Sequence, residues 1–158
     1  MKQQRKLIDT TPIVIFNSDV SPSVLRLFPK NFCGDIVING DLYLDDDIEL
    51  SCKHLYANSI ISYGVNCNIT GNVICKKRIH VNNLKVDGNI IAEDIEALCA
   101  ISTGDIICET ITCDAIKVLS ELKAYQYIDA RGGTVHVHSL ALIKPARIYD
   151  VQKFKIGY

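Results

Sequence analysis

Six times between Ile36 and Val137 the chain repeats one module, three short apolar-x-apolar steps joined by polar turns, with sixteen to nineteen residues per round. A strand turns residues i and i+2 to one side and i+1 to the other, so each step reads as a short strand with two inward side chains. A module returning at this period winds as a solenoid, each rung pairing its backbone with the rungs above and below, about 4.8 Å away. The expected fold is all-β: a single-stranded, three-sided β-solenoid (β-helix) of about six coils, about 30 Å tall.

The register follows residue by residue. The first wall turns inward Ile36/Ile38, Leu55/Ala57, Val73/Cys75, Ile90/Ala92, Ile106/Cys108 and Leu122/Ala124. On the second these are Leu42/Leu44, Ile60/Ser62, Ile79/Val81, Ile95/Ala97, Ile111/Cys113 and Ile128/Ala130. The third runs Ile48/Leu50, Cys67/Ile69, Leu84/Val86, Cys99/Ile101, Ile116/Val118 and Val135/Val137. In this register only Ser62 is polar, although apolar residues make up just 48% of the chain. Between the steps lie Asp45-Asp46-Asp47, Asn82-Asn83, Asp87-Gly88-Asn89 and Ser102-Thr103-Gly104-Asp105, residue types that accept tight turns. No i, i+3, i+4, i+7 apolar pattern interrupts residues 34–118, so no helix is expected there.

The flanks differ. Residues 1–33 read as an N-terminal capping segment, in which Ser21-Pro22-Ser23 ahead of Val24, Leu25, Leu27 and Phe28 predicts one short helix before Pro29. Residues 34–139 form the solenoid. Residues 140–158, with Leu140, Ile143, Ile148, Val151, Phe154 and Ile156, read as an apolar tail that caps, folds back along the solenoid or reaches a neighbour.

Seven cysteines raise the question of disulfides or metal, and their positions answer it. Cys67, Cys75, Cys99, Cys108 and Cys113 fall on inward positions, where a thiol packs as a small hydrophobe, and no CxxC pair occurs. An odd count used as core filler points to a reducing compartment. Lys2, Arg5 and Lys6 precede Ile13-Val14-Ile15-Phe16, an apolar run far too short for a secretory leader or a membrane span, so the expected location is cytoplasmic. A net charge of −1 argues against a nucleic-acid partner. Lys76-Lys77-Arg78 reads as a solvated corner, and Asp45-Asp46-Asp47 lacks the alternating ligands of a calcium loop. His136 and His138 share one strand face, but two ligands do not make a zinc site, and His80 and Asp129 are unplaced as a third. No cofactor, metal or catalytic residue is assigned, for neither a phosphate loop nor a GxSxG elbow is present and the cysteines and histidines face opposite ways.

The outward residues say more. On the first wall they are Val37, Tyr56, Ile74, Ile91 and Ile107, an apolar ladder where solvent favours polar groups. The second wall is apolar only at its N-terminal end, at Tyr43 and Ile61, before His80, Glu96 and Thr112; the third, with Glu49, Asn68, Lys85, Ala100 and Lys117, is mostly polar. A continuous apolar strip marks an interface, either with another molecule or with the chain's own ends. Val37, Tyr56, Ile74, Ile91, Ile107, Tyr43 and Ile61 are therefore the candidate interface residues.

Gly-Asp or Gly-Asn followed by apolar-x-apolar, as in Gly34-Asp35-Ile36, Gly40-Asp41-Leu42, Gly71-Asn72-Val73, Gly88-Asn89-Ile90 and Gly104-Asp105-Ile106, resembles the bactofilins, polymer-forming cytoskeletal proteins of bacteria. The resemblance covers residues 34–137 and implies a right-handed triangular β-helix that stacks into nucleotide-free filaments as a scaffold. The expected function is thus a non-enzymatic structural protein that self-associates, as a homo-oligomer or filament, through solenoid ends or an apolar face. The alternative is a binding module, an adaptor or toxin-neutralising protein, docking a protein partner on the solenoid face. An acyltransferase on a hexapeptide helix ranks third, because its steps would keep a near-strict period of six whereas these vary from four to seven.

Overall fold

Alternating inward and outward side chains pair rung on rung over nearly the whole chain. The computed structural model describes residues 11–25, 29–62 and 64–157. It is a parallel-strand β-solenoid, 73% strand and 2% helix. Successive rungs are offset by 16 to 22 residues, as between His80 and Glu96 and between Ile13 and Asp35. Each round contributes three paired stretches. On the first wall Ile36, Leu55, Val73, Ile90 and Ile106 stack in one column. On the second Leu42, Ile60, Ile79, Ile95 and Ile111 do so, and on the third Ile48, Cys67, Leu84, Ala100 and Ile116. These columns form one continuous core cluster along the axis.

Two expectations need correction. The winding has about eight turns, not about six. The additional turns are the flanks. Ile13–Phe16 pairs in parallel with Asp35–Ile38, and Val20 bridges Leu42, so the N-terminal segment contributes a coil. The predicted helix is a single turn, Pro22–Leu25, whose Leu25 is buried in the core, while Leu27 and Phe28 lie outside the described residues. At the other end Arg147–Ile156 pairs in parallel with 127–137, so the tail neither folds back over a wall nor hangs free; it winds on.

The second correction is one of register. Cys99 and Ile101 were expected inward and Ala100 outward, but Ala100 and Ser102 are the buried pair, and Cys99 and Ile101 are half-buried on the outside. Ala100 lies between Leu84 and Ile116, and Ser102 between Val86 and Val118. A hydroxyl is tolerated in that column because Ser102 Oγ donates to the Gly88 carbonyl at 2.6 Å, leaving no unmet polar group. The other inward positions of the register are all buried.

The Gly-Asn/Asp corners have a specific cause. The Asn or Asp side chain of one rung accepts the backbone N–H of the next: Asn72 Oδ1 from Asn89 (2.9 Å), Asn89 Oδ1 from Asp105 (2.8 Å) and Asp105 Oδ1 from Glu121 (3.0 Å). The preceding glycines stack on one another. A Cβ on Gly88, at φ +153°, would run into the Gly71 carbonyl, and one on Gly104 into Asn89 and Gly88. Side-chain acceptors and missing Cβ atoms together hold this corner in line up the prism.

Candidate interaction surfaces

The β-pairing places Val37, Tyr56, Ile74, Ile91 and Ile107 in one outward column and extends it by Ile15, which pairs with Val37. Most of these side chains are only half-buried, because β-branched and aromatic groups stacked a rung apart shield one another; Ile15 and Ile91 are exposed. Among the described residues neither flank is laid across the ladder, since Ile13–Phe16 and Arg147–Ile156 each pair edge to edge as part of a further coil. Shallow depressions line the strip, one bounded by Val37, Tyr56, Ile74 and Lys76 and another by Ile91, Ile107, Glu109 and Tyr125.

Tyr43 and Ile61 pair with each other on the second wall and do not join the ladder. Further up that wall the surface becomes charged. Glu96 accepts from Arg131 Nη2 at 2.6 Å and lies 3.1 Å from His80 Nδ1, while Arg131 Nη1 is 3.6 Å from Asp114. This network is exposed, and such pairs contribute little to stability. The third wall bears a groove of about 550 Å³, lined by Glu49, Asn68, Lys85, Asp87 and Thr103 together with Lys30. His136 lies between the inward Val135 and Val137, and His138 is exposed. Among the described residues no group of three or more His, Cys, Asp or Glu side chains is placed to hold a metal ion.

All seven cysteines are unpaired thiols. Burial pushes the Cys67, Cys75, Cys108 and Cys113 thiols up to about 12 from the ordinary 9.0, which keeps them neutral and poor nucleophiles. Cys33 is exposed. Asp105 is held below its ordinary value by hydrogen bonds, first from the Ser120 side chain and then from the Glu121 backbone N–H, consistent with its corner role.

The surface missed from sequence is the C-terminal end of the prism. Ile148 stacks on Ile128, Phe154 on Val135 and Ile156 on Val137, and the Ile143 amide donates to the Ala124 carbonyl, which sets Leu142 over Ala124. The side chains beneath, Ile128, Val135, Val137 and Ala124, are at most 1% exposed. The ones on top are not: Leu142 is 36% exposed, Ile148 and Phe154 37%, and Ile156 57%. The core columns run straight out into solvent there. The signal was present as Lys153-Phe154-Lys155-Ile156, a strict polar-apolar alternation.

Among the described residues no helix is long and apolar enough to cross a membrane. Comparison of the chain with protein-family models, with curated proteins and with solved structures found no match.

Proposed function

We propose that this protein is a structural subunit without enzymatic activity, whose task is to self-associate into a scaffold through the open end of its solenoid. One observation carries the reading: residues occupying core positions, Leu142, Ile148, Phe154 and Ile156, lie bare on the outermost described coil. Such a coil also presents a free strand edge, a template for another chain. The six exposed apolar side chains of this coil, these four with Ile143 and Tyr149, offer on the order of 500 Å². With the flanking backbone and polar rim, that approaches the roughly 800 Å² per partner of a standard interface. The bactofilin-like corner pattern accords with such a role, and thiols used as packing groups accord with a cytoplasmic setting.

Light scattering across a concentration series tests this. The wild-type mass rises with concentration above 17.6 kDa, and the variant Ile148→Asp, Phe154→Asp stays at 17.6 kDa with an unchanged circular dichroism spectrum. A wild type that stays at 17.6 kDa at every concentration overturns the proposal.

The ladder from Ile15 to Ile107 favours a second reading, a binding module that docks a protein partner on the first wall. The pair Ile74→Asp, Ile91→Asp separates the two: it leaves self-association intact if the end is the interface and abolishes it if the wall is.

A further inference from the structure

The apolar column of the first wall runs between two edges whose charges follow an order. Along the corner shared with the second wall, Asn58, Lys77, Glu93 and Glu109 succeed one another, each joined to the next by a backbone hydrogen bond. Lys76 lies beside Lys77 and borders the depressions around Ile74 and Ile91. This edge is basic at the coil of Ile74 and acidic at the coils of Ile91 and Ile107. Along the opposite edge Lys53 stands one coil below Gly71 and Asn72, and Asn89 and Asp105 follow above. That edge is basic at the coil of Tyr56 and acidic at the coil of Ile107. Lys53, Lys76 and Glu93 are exposed, and among the described residues none of the three forms an ion pair within its own subunit. The outermost acidic groups of the same edge, Asp35 and Glu121, are already held by His54 and Ser139.

This order of charges is self-complementary in one geometry. We propose that the first wall docks a second copy of this chain, packed antiparallel about a two-fold axis between the coils of Ile74 and Ile91. An axis laid along the strands brings like edges together with the coil order reversed. Ile74 then faces Ile91 of the second copy, and Tyr56 faces its Ile107. Lys76 meets Glu93 and Lys53 meets Asp105, and the symmetry forms each pair twice. Moving the axis by half a coil sets Lys76 against Lys76 or Glu93 against Glu93, and a parallel pairing sets Glu109 against Asp105. Both copies share the rung spacing of about 4.8 Å, so the match persists along the strip instead of drifting.

The surface involved is modest. Coils from Ile15 to Ile107, about 4.8 Å apart, and steps four residues wide make a wall of on the order of 400 Å². That is half the roughly 800 Å² per partner of a standard interface. The pair is therefore weak, with a dissociation constant on the order of 0.1–1 mM, and subunits with a blocked end stay at 17.6 kDa in dilute solution. A two-fold contact closes at two copies and uses nothing of the open end.

Sedimentation equilibrium of the end-blocked variant Ile148→Asp, Phe154→Asp tests the pairing, because association through the end is silent there. Its mass rises from 17.6 kDa toward twice that value as the concentration approaches about 1 mM. Adding Lys76→Glu or Glu93→Lys weakens the pair at least about tenfold, since each reversal acts twice across the axis. The variant carrying both reversals recovers the parent affinity to within about threefold, and an equimolar mixture of the two single reversals pairs as well. A parent that stays at 17.6 kDa at about 2 mM refutes the wall pairing, as does a double reversal no better than its single ones. Neither result touches the reading of the open end, which light scattering of the wild type decides. Should a reversal disturb the circular dichroism spectrum, Lys76→Gln and Glu93→Gln replace it; each weakens the pair about threefold, and no loss from either refutes the register.

Discussion

Five thiols buried in the core make this solenoid labile to alkali. Cys52, Cys67, Cys75, Cys108 and Cys113 are at most 6% exposed, and desolvation by burial pushes each up to about 12 from 9.0. Well below pH 9 these thiols are neutral in both folded and unfolded chains and do not affect the balance. Above pH 9 the unfolded chain releases protons that the folded chain holds, so stability falls as pH rises through the window from about 9 to about 12. One unit above the ordinary value each thiol costs roughly 1 kcal/mol, and the five together cost on the order of 5 kcal/mol or more at pH 10. That is comparable to the whole stability of a typical domain, about 5–15 kcal/mol. Urea unfolding followed by circular dichroism at pH 7.5 and pH 10 reads the loss. Cys75→Ala isolates one thiol: whatever its own packing cost, the drop between the two pH values is smaller by roughly 1 kcal/mol than in the parent. A parent that loses under about 1 kcal/mol, or an identical drop in parent and variant, refutes the placement of these cysteines.

Three further outcomes follow from the same packing. Under native conditions a thiol reagent labels Cys33 rapidly and the half-buried Cys99 slowly; rapid labelling of Cys75, Cys108 or Cys113 contradicts the winding. Ile79→Ala, at a fully buried position in the middle of the second-wall column, lowers the unfolding free energy by about 2–5 kcal/mol, and a loss below about 1 kcal/mol is inconsistent with that column. Gly88→Ala, which drives a Cβ into the Gly71 carbonyl at positive φ, costs about 2 kcal/mol or more in urea unfolding, whereas a neutral effect removes the glycine stack as the cause of the corner.

Most of the winding is legible in the sequence because a strand's two-residue period sorts side chains into inside and outside without any long-range information. The slip at Cys99 and Ile101 shows where that reasoning fails. Maximising the apolar count favours Cys99 and Ile101 over Ala100 and Ser102, but a buried hydroxyl beside a carbonyl costs little, and Ser102 has the Gly88 carbonyl at 2.6 Å. Step length was the better guide. Val81 to Leu84 and Cys113 to Ile116 are both three residues, and Ala97 to Ala100 matches them. Ile13–Phe16 was hidden for another reason: four apolar residues in a row show no alternation, and only pairing with Asp35–Ile38 makes Val14 and Phe16 the inward ones. The ladder from Val37 to Ile107 followed from the register alone. The open end did not, since it depends on the tail continuing the winding, which a sequence rich in apolar residues states no more strongly than folding back.

Backbone amides of the last coil give the most direct test of the central claim, that the solenoid end is an association surface. Inward residues donate their N–H to the following coil, as Val20 does to Asp41, Val73 to Asn89 and Ile90 to Asp105, whereas the outward Tyr43 donates back to Val20. By that alternation the amides of Ile148, Phe154 and Ile156 point away from the rung beneath them, and those of Tyr149 and Lys155 point into it. Residue-resolved hydrogen exchange over a concentration series should show Ile148, Phe154 and Ile156 exchanging fast when dilute and becoming protected as the protein assembles, with Tyr149 and Lys155 protected throughout. Fast exchange at Ile148, Phe154 and Ile156 in the assembled state would place the contact elsewhere and contradict the account.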